Sequence, residues 1–294
     1  MEMSYEISKL KCAYTPGKRI VLEIDRLDIP TGKINFIIGL SGIGKSTFLE
    51  TLGMMNNTLC ETEESRLIFI DPETKNQTDL IELWSRKDHI LSSFRNSHYS
   101  FIFQNTNLMN NFTAFENVYV PQLIQGRSLR DVKNKTKEIL KGIGLEEIKE
   151  KQSIHSLSIG QKQRLAFARA IIPDFSVLFC DEPTGNLDIN NACNLMDMLS
   201  RVIYSKNRTA IIVSHDIDLA IRYADIIIYI MQVSREISIS GCITEKEPYG
   251  LISDDSLYIK KDQGHWHYKN ERLDNIELKE KLIRDLHAFS QPFT

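Results

Sequence analysis

Apolar and polar positions divide this chain into short runs and periodic stretches. Ile20-Val21-Leu22, Leu27 and Ile29, closed by Pro30-Thr31-Gly32, predict short strands and turns over residues 1–35. Ile34 to Ile38 predicts a strand that runs directly into the glycine-rich stretch Gly39 to Thr47, and Phe48-Leu49-Glu50-Thr51-Leu52 then predicts a helix. Residues 54–98 are polar and irregular, with one helix predicted at 79–94 around Leu80, Leu83, Trp84 and Ile90. Residues 112–170 read as mostly helical, with Val132, Ile139, Leu140 and Ile143 at helical spacing. Ser176 to Cys180 and Ile211 to Val213 predict buried strands. Strands alternating with helices predict an α/β fold with a largely parallel core sheet.

Composition narrows the function classes. The chain has 294 residues, 42% hydrophobic and 26% charged, which argues against disorder and low complexity. A formal net charge of −3 makes it a poor general nucleic-acid binder, so no nucleic-acid partner is predicted. The longest apolar run, Ile226 to Met231, is far short of the roughly 20 residues a spanning helix needs. Met1 to Leu10 carries Glu2 and Glu6 and lacks the apolar stretch of a secretion signal, so an intracellular protein is expected. Cys12, Cys60, Cys180, Cys193 and Cys242 are scattered without a CxxC pair, and free thiols are expected of them. Charged residues become denser from about 245.

Two stretches carry chemistry. Gly39 to Ser46 fits G-x-x-x-x-G-K-[ST] between a strand and a helix. Such glycines let successive backbone N–H groups face phosphate oxygens, and the helix points its positive end at the same place. Gly39, Ser41, Gly42, Gly44, Lys45, Ser46 and Thr47 are therefore candidate phosphate contacts, with Lys45 reaching the β and γ phosphates and Ser46 placing its hydroxyl on Mg²⁺. Val177-Leu178-Phe179-Cys180-Asp181-Glu182 is an apolar strand that stops at two carboxylates. The C-terminal edge of an α/β sheet is where ligands sit. Asp181 is the candidate Mg²⁺ ligand there, and Glu182 the candidate for polarising an attacking water.

With these residues in place, the chain resembles the ABC ATPases. Leu157-Ser158-Ile159-Gly160-Gln161 resembles the LSGGQ signature, Gln104 in Phe101-Ile102-Phe103-Gln104 resembles the Q-loop, and Ser214-His215-Asp216 resembles the switch-histidine segment. Asn186-Leu187-Asp188 is similar to the D-loop, and Tyr14 to the aromatic that stacks on adenine. The resemblance spans roughly residues 4–244, with its motifs in family order. Asp181 to Asp188 and Phe112 to Val118 resemble the lipoprotein-releasing and macrolide-export type in particular.

The resemblance implies a P-loop NTPase core with a parallel sheet, an antiparallel β subdomain and a helical signature subdomain at about 105–170. It implies a nucleotide-binding domain over 1–244 that hydrolyses Mg-ATP as a homodimer or heterodimer. Ser158, Gly160 and Gln161 would contact the partner's nucleotide, and Asp188 would cross the dimer seam. Glu182, His215, Gln104 and Lys45 would be catalytic, and Ser46, Gln104 and Asp181 would hold the metal. A separate integral-membrane permease would be the partner, placing the chain in the cytoplasm at the inner face of the membrane. An ATP-driven regulator acting through a membrane partner, or a soluble ABC ATPase of ribosome or DNA, would use the same machinery. The departures are Ile159, where the family usually has Gly, and Ile43, where Ser is frequent; Ser158 and Gly160 are kept.

Outside the resemblance, residues 245–294 read as a C-terminal extension. Leu278, Leu282, Leu286 and Phe289 predict an amphipathic helix, with Asp274 and Glu277 as a capping-box-like start. Trp84, Phe94, Tyr99 and Cys180 are expected in local core, and the two histidines of His265-Trp266-His267 are too few for a metal centre.

Overall fold

The computed structural model describes residues 2–15, 19–60, 62–185, 187–239, 243–261 and 264–288. Asn186, Cys242 and Phe289 lie outside the described residues.

Two sheets organise the chain. The first is mainly antiparallel: β1 (Met3–Cys12), β2 (Leu22–Pro30), β4 (Leu59–Cys60), β5 (Arg66–Ile70), β6 (Gln77–Asp79), β11 (Met231–Ile239) and β12 (Ile243–Ile252). Its order is β11-β12-β2-β1-β5-β6, with β4 also on β1. The second runs β15-β14-β13-β10-β3-β9-β8-β7. Its parallel part is β3 (Ile34–Ile38), β7 (Tyr99–Ile102), β8 (Val177–Asp181), β9 (Thr209–Val213) and β10 (Ile226–Tyr229). The antiparallel strands β13 (Leu257–Lys260), β14 (Trp266–Tyr268) and β15 (Glu271–Leu273) extend one edge.

The central strands are buried on both faces, as parallel strands covered on both sides must be. Phe36, Ile38, Leu178, Cys180 and Ile212 join one core with the helices. Ile37, Val177, Phe179, Ile211 and Val213 join the other, with the antiparallel sheet and helix α1 (Lys45–Leu52). Trp84, Phe94 and Tyr99 pack in that second cluster, where the Phe69 ring meets Phe94 and Tyr99 edge-on. Cys180 is fully buried, and Cys12, Cys60, Cys180 and Cys193 are free thiols.

The helical layer differs from the pattern-based expectation in its breaks. The helix expected at 79–94 is two, α2 (Leu80–Trp84) and α3 (Asp88–His98). The Asp79 carboxylate caps α2, and Lys87 adopts an extended backbone that restarts the chain. The span 112–170 is three helices: α4 (Ala114–Ile124), α5 (Leu129–Gly142) and α6 (Ile159–Ile171). Capping boxes open α4 at Thr113 and α6 at Ser158. Helices α7 (Ile189–Ser205) and α8 (Ile217–Tyr223) complete the crossovers.

Residue 244, where the composition shifts, falls inside β12. The following residues are continuous with both sheets: β12 pairs with β2, and β13 pairs with β10. Helix α9 (Asn275–Ala288) packs on α8, burying Leu278 and Leu282 completely. Asp274 Oδ1 accepts from the Glu277 N–H at 2.9 Å and the Asp274 N–H donates to Glu277 Oε2 at 2.8 Å, closing the capping box. Trp266 is a fully buried core residue whose Nε1 donates to Asn275 Oδ1. Charge density marked a change of surface here, and β pairing carries the fold through it. Among the described residues no helix is long and apolar enough to cross a membrane.

Candidate nucleotide-binding and hydrolysis site

Four parallel strands end at one edge of the second sheet, and each delivers a candidate residue there. β3 leads into the glycine-rich loop and α1, β7 into Gln104, β8 into Asp181 and Glu182, and β9 into His215. The strand ends are locked by backbone bonds: the Glu182 N–H donates to Val213 O at 2.9 Å, and the Ser214 N–H to Ile37 O at 3.3 Å. The register pairs Asp181 with Val213 and Ile37 with Val213, so the loop, the carboxylates and the histidine share one level.

The loop has the backbone its glycines predict. Gly44, the N-cap of α1, sits at φ +109°, a conformation that strains any side chain. A Cβ there would also come within 3.3 Å of Leu22 Cβ and Val21 O. Lys45 Nζ donates to Gly39 O and Leu40 O, both at 2.8 Å, so the ammonium closes the loop over its own carbonyls. Ser41, Gly42 and Ser46 are exposed at the loop, whereas Thr47 is buried.

Lys45 lies close enough to both carboxylates to interact with them. Burial lowers the Lys45 ammonium pKa against the opposing pull of Glu182 and Asp181. Burial raises the Asp181 carboxyl pKa, and Glu182 and Glu50 raise it further. Glu182 Oε1 lies 3.2 Å from His215 Nδ1, and Glu182 Oε2 accepts from Gln104 Nε2 at 3.5 Å. Glu182 holds φ +46°, in the left-handed region.

The structure therefore brings Lys45, Gln104, Asp181, Glu182 and His215 together. Tyr14 is half-exposed beside α1, its hydroxyl 3.1 Å from Thr47 Oγ1 and donating to Glu50 Oε2 at 3.2 Å. Ser158, Gly160 and Gln161 stand elsewhere. They open α6, where Ser158 Oγ accepts from the Gln161 N–H and Gln161 Oε1 from the Ser158 N–H. Among the described residues no hydrogen bond links them to the Lys45 loop. Ile159 is 71% exposed, so its bulk burdens nothing within the chain. Asp188 caps α7 through the Asn191 N–H, and that bond lowers its carboxyl pKa.

Sequence patterning missed two supporting residues, both on α6. Arg169 donates to Thr106 O and Asn107 O, each at 2.7 Å, pinning the loop that follows Gln104. Gln163 is buried and donates from Nε2 to Pro183 O at 2.8 Å. The available signal was a polar residue on the apolar face of a helix: Gln163 shares its side of α6 with the buried Ala166 and Phe167.

A glycine-rich loop between a parallel strand and a helix, set against carboxylates at the end of β8 in the same sheet, defines the P-loop class of nucleotide-binding ATPase. Comparison with known proteins narrows the class. The family model described as ABC transporter matches residues 22–185. The lipoprotein-releasing system ATP-binding protein LolD of Cytophaga hutchinsonii is 36% identical over 206 residues, 70% of this chain and 88% of that protein. The macrolide export ATP-binding/permease protein MacB of Mannheimia succiniciproducens is 35% identical over 217 residues, 73% of this chain but 31% of that longer protein. Among solved structures, the dimeric bacterial ABC transporter cassette MJ0796 aligns with TM-score 0.65 at 30% identity, covering 76% of this chain and 93% of that one. Its post-hydrolysis dimer bound to ADP and Pi aligns at 0.63 and 27% identity, covering 82% and 98%. The chain belongs to the ABC transporter ATP-binding family. It binds ATP and hydrolyses it.

Proposed function

We propose that this chain is the ATPase subunit of a membrane exporter or extractor of lipoprotein, peptide or drug, working as a nucleotide-bridged dimer on a separate integral-membrane permease. The permease places it at the cytoplasmic face of the membrane. One observation carries the dimer: the Ser158 end of α6 is exposed, capped and unattached to the Lys45 loop of its own chain. A helix N-terminus of that kind suits the γ-phosphate of a nucleotide held by a second copy. The dimeric cassettes among the structural neighbours support this arrangement, and the LolD and MacB relatives support the export assignment.

Within each half, the 39–46 loop and Lys45 hold the phosphates, and Tyr14 lies beside the helix they lead into. Asp181, the Ser46 hydroxyl and the Gln104 amide oxygen supply hard oxygen donors, which suit Mg²⁺. Burial, then Glu182 and Glu50, raise the Asp181 pKa against the pull of Lys45, so a cation bound there would favour its ionised form. Bound there, Mg²⁺ would neutralise phosphate charge. Glu182 orients and polarises the attacking water, and His215 contributes a hydrogen-bond donor toward the charge that develops. Asp188 lies at the seam.

The test is Glu182→Gln, which keeps the side-chain shape but removes the base. It should bind ATP with parental affinity, accumulate as an ATP-dependent dimer on sizing chromatography and release phosphate at least about 10²-fold more slowly. Parental turnover by this variant would refute the assignment.

A further inference from the structure

Helix α6 touches two places that the proposed function assigns to two different nucleotides. Its first turn carries Ser158 and Gly160, which face the partner's nucleotide in that reading. Five residues past Ser158, about 7.5 Å along the axis, Gln163 reaches the peptide that follows the chain's own Glu182. Gln163 is 7% exposed, and its Nε2 donates to Pro183 O at 2.8 Å. A carbonyl can only accept, so the amide orientation is set by chemistry. Gly160 stands near the segment after the Glu182 turn as well: a Cβ placed on it would lie 4.0 Å from Leu187 Cδ2.

We propose that Gln163 is a positioning residue that relays the engagement of the partner's nucleotide by α6 to the carboxylate of Glu182, and so couples the two ATP sites of the dimer. The proposal rests on the assignment of Ser158 and Glu182 to opposite nucleotides. Three observations carry it beyond simple packing. Glu182 holds a left-handed backbone, φ +46°, which persists only when neighbours determine it. Among the described residues the backbone bonds holding it are its N–H to Val213 O, the Gly185 N–H to its carbonyl at 3.3 Å, and Gln163 on the next carbonyl. Among the described residues, Gln163 Oε1 is buried without a hydrogen-bond partner. A buried amide left half satisfied is a costly packing group, and an apolar side chain of equal length would avoid that cost. The donor toward Pro183 is the part of the side chain that an apolar substitute lacks. When an anion settles on the N-terminus of α6, any shift of that rigid helix moves the Pro183 peptide, and with it the direction of the Glu182 carboxylate.

The full chain carrying Gln163→Met tests this. The variant keeps side-chain length and removes the donor. Expected are a kcat about tenfold lower, a Hill coefficient for ATP hydrolysis falling toward about 1, and fluorescent-nucleotide affinity within about twofold of the parent. ATP-dependent dimerisation in the Glu182→Gln background should persist. Gln163→Glu supplies the rescue: the introduced carboxyl can donate only when protonated. Relative to the parent, its turnover should rise as pH falls, while that of Gln163→Met stays flat. Parental kcat and cooperativity in Gln163→Met, or a loss of nucleotide affinity as large as the loss of kcat, would overturn the relay and leave the dimer reading standing if Glu182→Gln still traps a dimer. Normal turnover by Glu182→Gln would overturn both. If Gln163→Met fails to fold, the pH profile of Gln163→Glu decides alone, and a parental profile refutes the relay.

Discussion

His215 Nδ1 lies 3.2 Å from Glu182 Oε1, although 33 residues and a complete helical crossover separate them in the chain. The contact exists because β8 and β9 pair in parallel register, Asp181 beside Val213, so both strands release their next residues at the same level. The imidazole is largely exposed, with 70% of the His215 side chain accessible, against 23% for the Glu182 side chain. A histidine so placed can turn between Glu182 and a phosphate without disturbing the core.

His215→Ala should therefore act on turnover and not on folding. We expect kcat to drop by about 10²-fold or more, the scale of losing one donor to developing charge. The melting temperature and the affinity for fluorescent ATP should stay close to the parent. Calorimetry and a phosphate-release assay on the same preparation check both halves.

Asp181 yields a pH prediction. Its folded pKa is raised by burial and by Glu182 and Glu50. The folded state therefore holds the proton more tightly than the unfolded chain does, and the ionised side chain disfavours the fold at neutral pH. Asp181→Asn should raise the melting temperature of the nucleotide-free protein near pH 7. That advantage should shrink as pH falls through the raised folded value and vanish below the ordinary aspartate range. Melts from pH 4 to 8 in chelator read the trend; an advantage that grows toward acid would contradict it.

The C-terminal helix tests how far the fold extends. Leu282 is fully buried in the core that also holds Ala220 and Ile221 of α8. Leu282→Ala should cost about 2–5 kcal/mol, the range for deleting a buried leucine side chain. The loss should appear as one cooperative transition at lower denaturant, because β13 pairs directly with β10 of the central sheet. A separate early transition would show instead that residues 254–288 unfold on their own.

Local pattern and spacing made much of this protein legible. The strand-loop-helix at Ile34 to Leu52 could be read because a buried strand, a glycine-rich turn and a helix start are each properties of neighbouring residues. The same holds for the apolar strand ending at Asp181 and Glu182, and for the capping box at Asp274, where the paired groups lie three residues apart; the box at Ser158 has the same spacing and was not read. The break between α2 and α3 escaped because it depends on a cap at Asp79 and an extended Lys87, which apolar periodicity does not register.

Residue types and their local spacing came from the sequence: a lysine in a glycine-rich loop between strand and helix, two carboxylates at a strand end, and a serine before a helix. Tertiary structure alone decided which of them meet. Strand order and parallel register are set by packing over long sequence distances, so they, and not proximity in the chain, placed Gln104, Glu182 and His215 on one edge and left Ser158 off it. The same long-range pairing carried both sheets past residue 244, and the burial of α6 against the Pro183 turn gave Gln163 its partner.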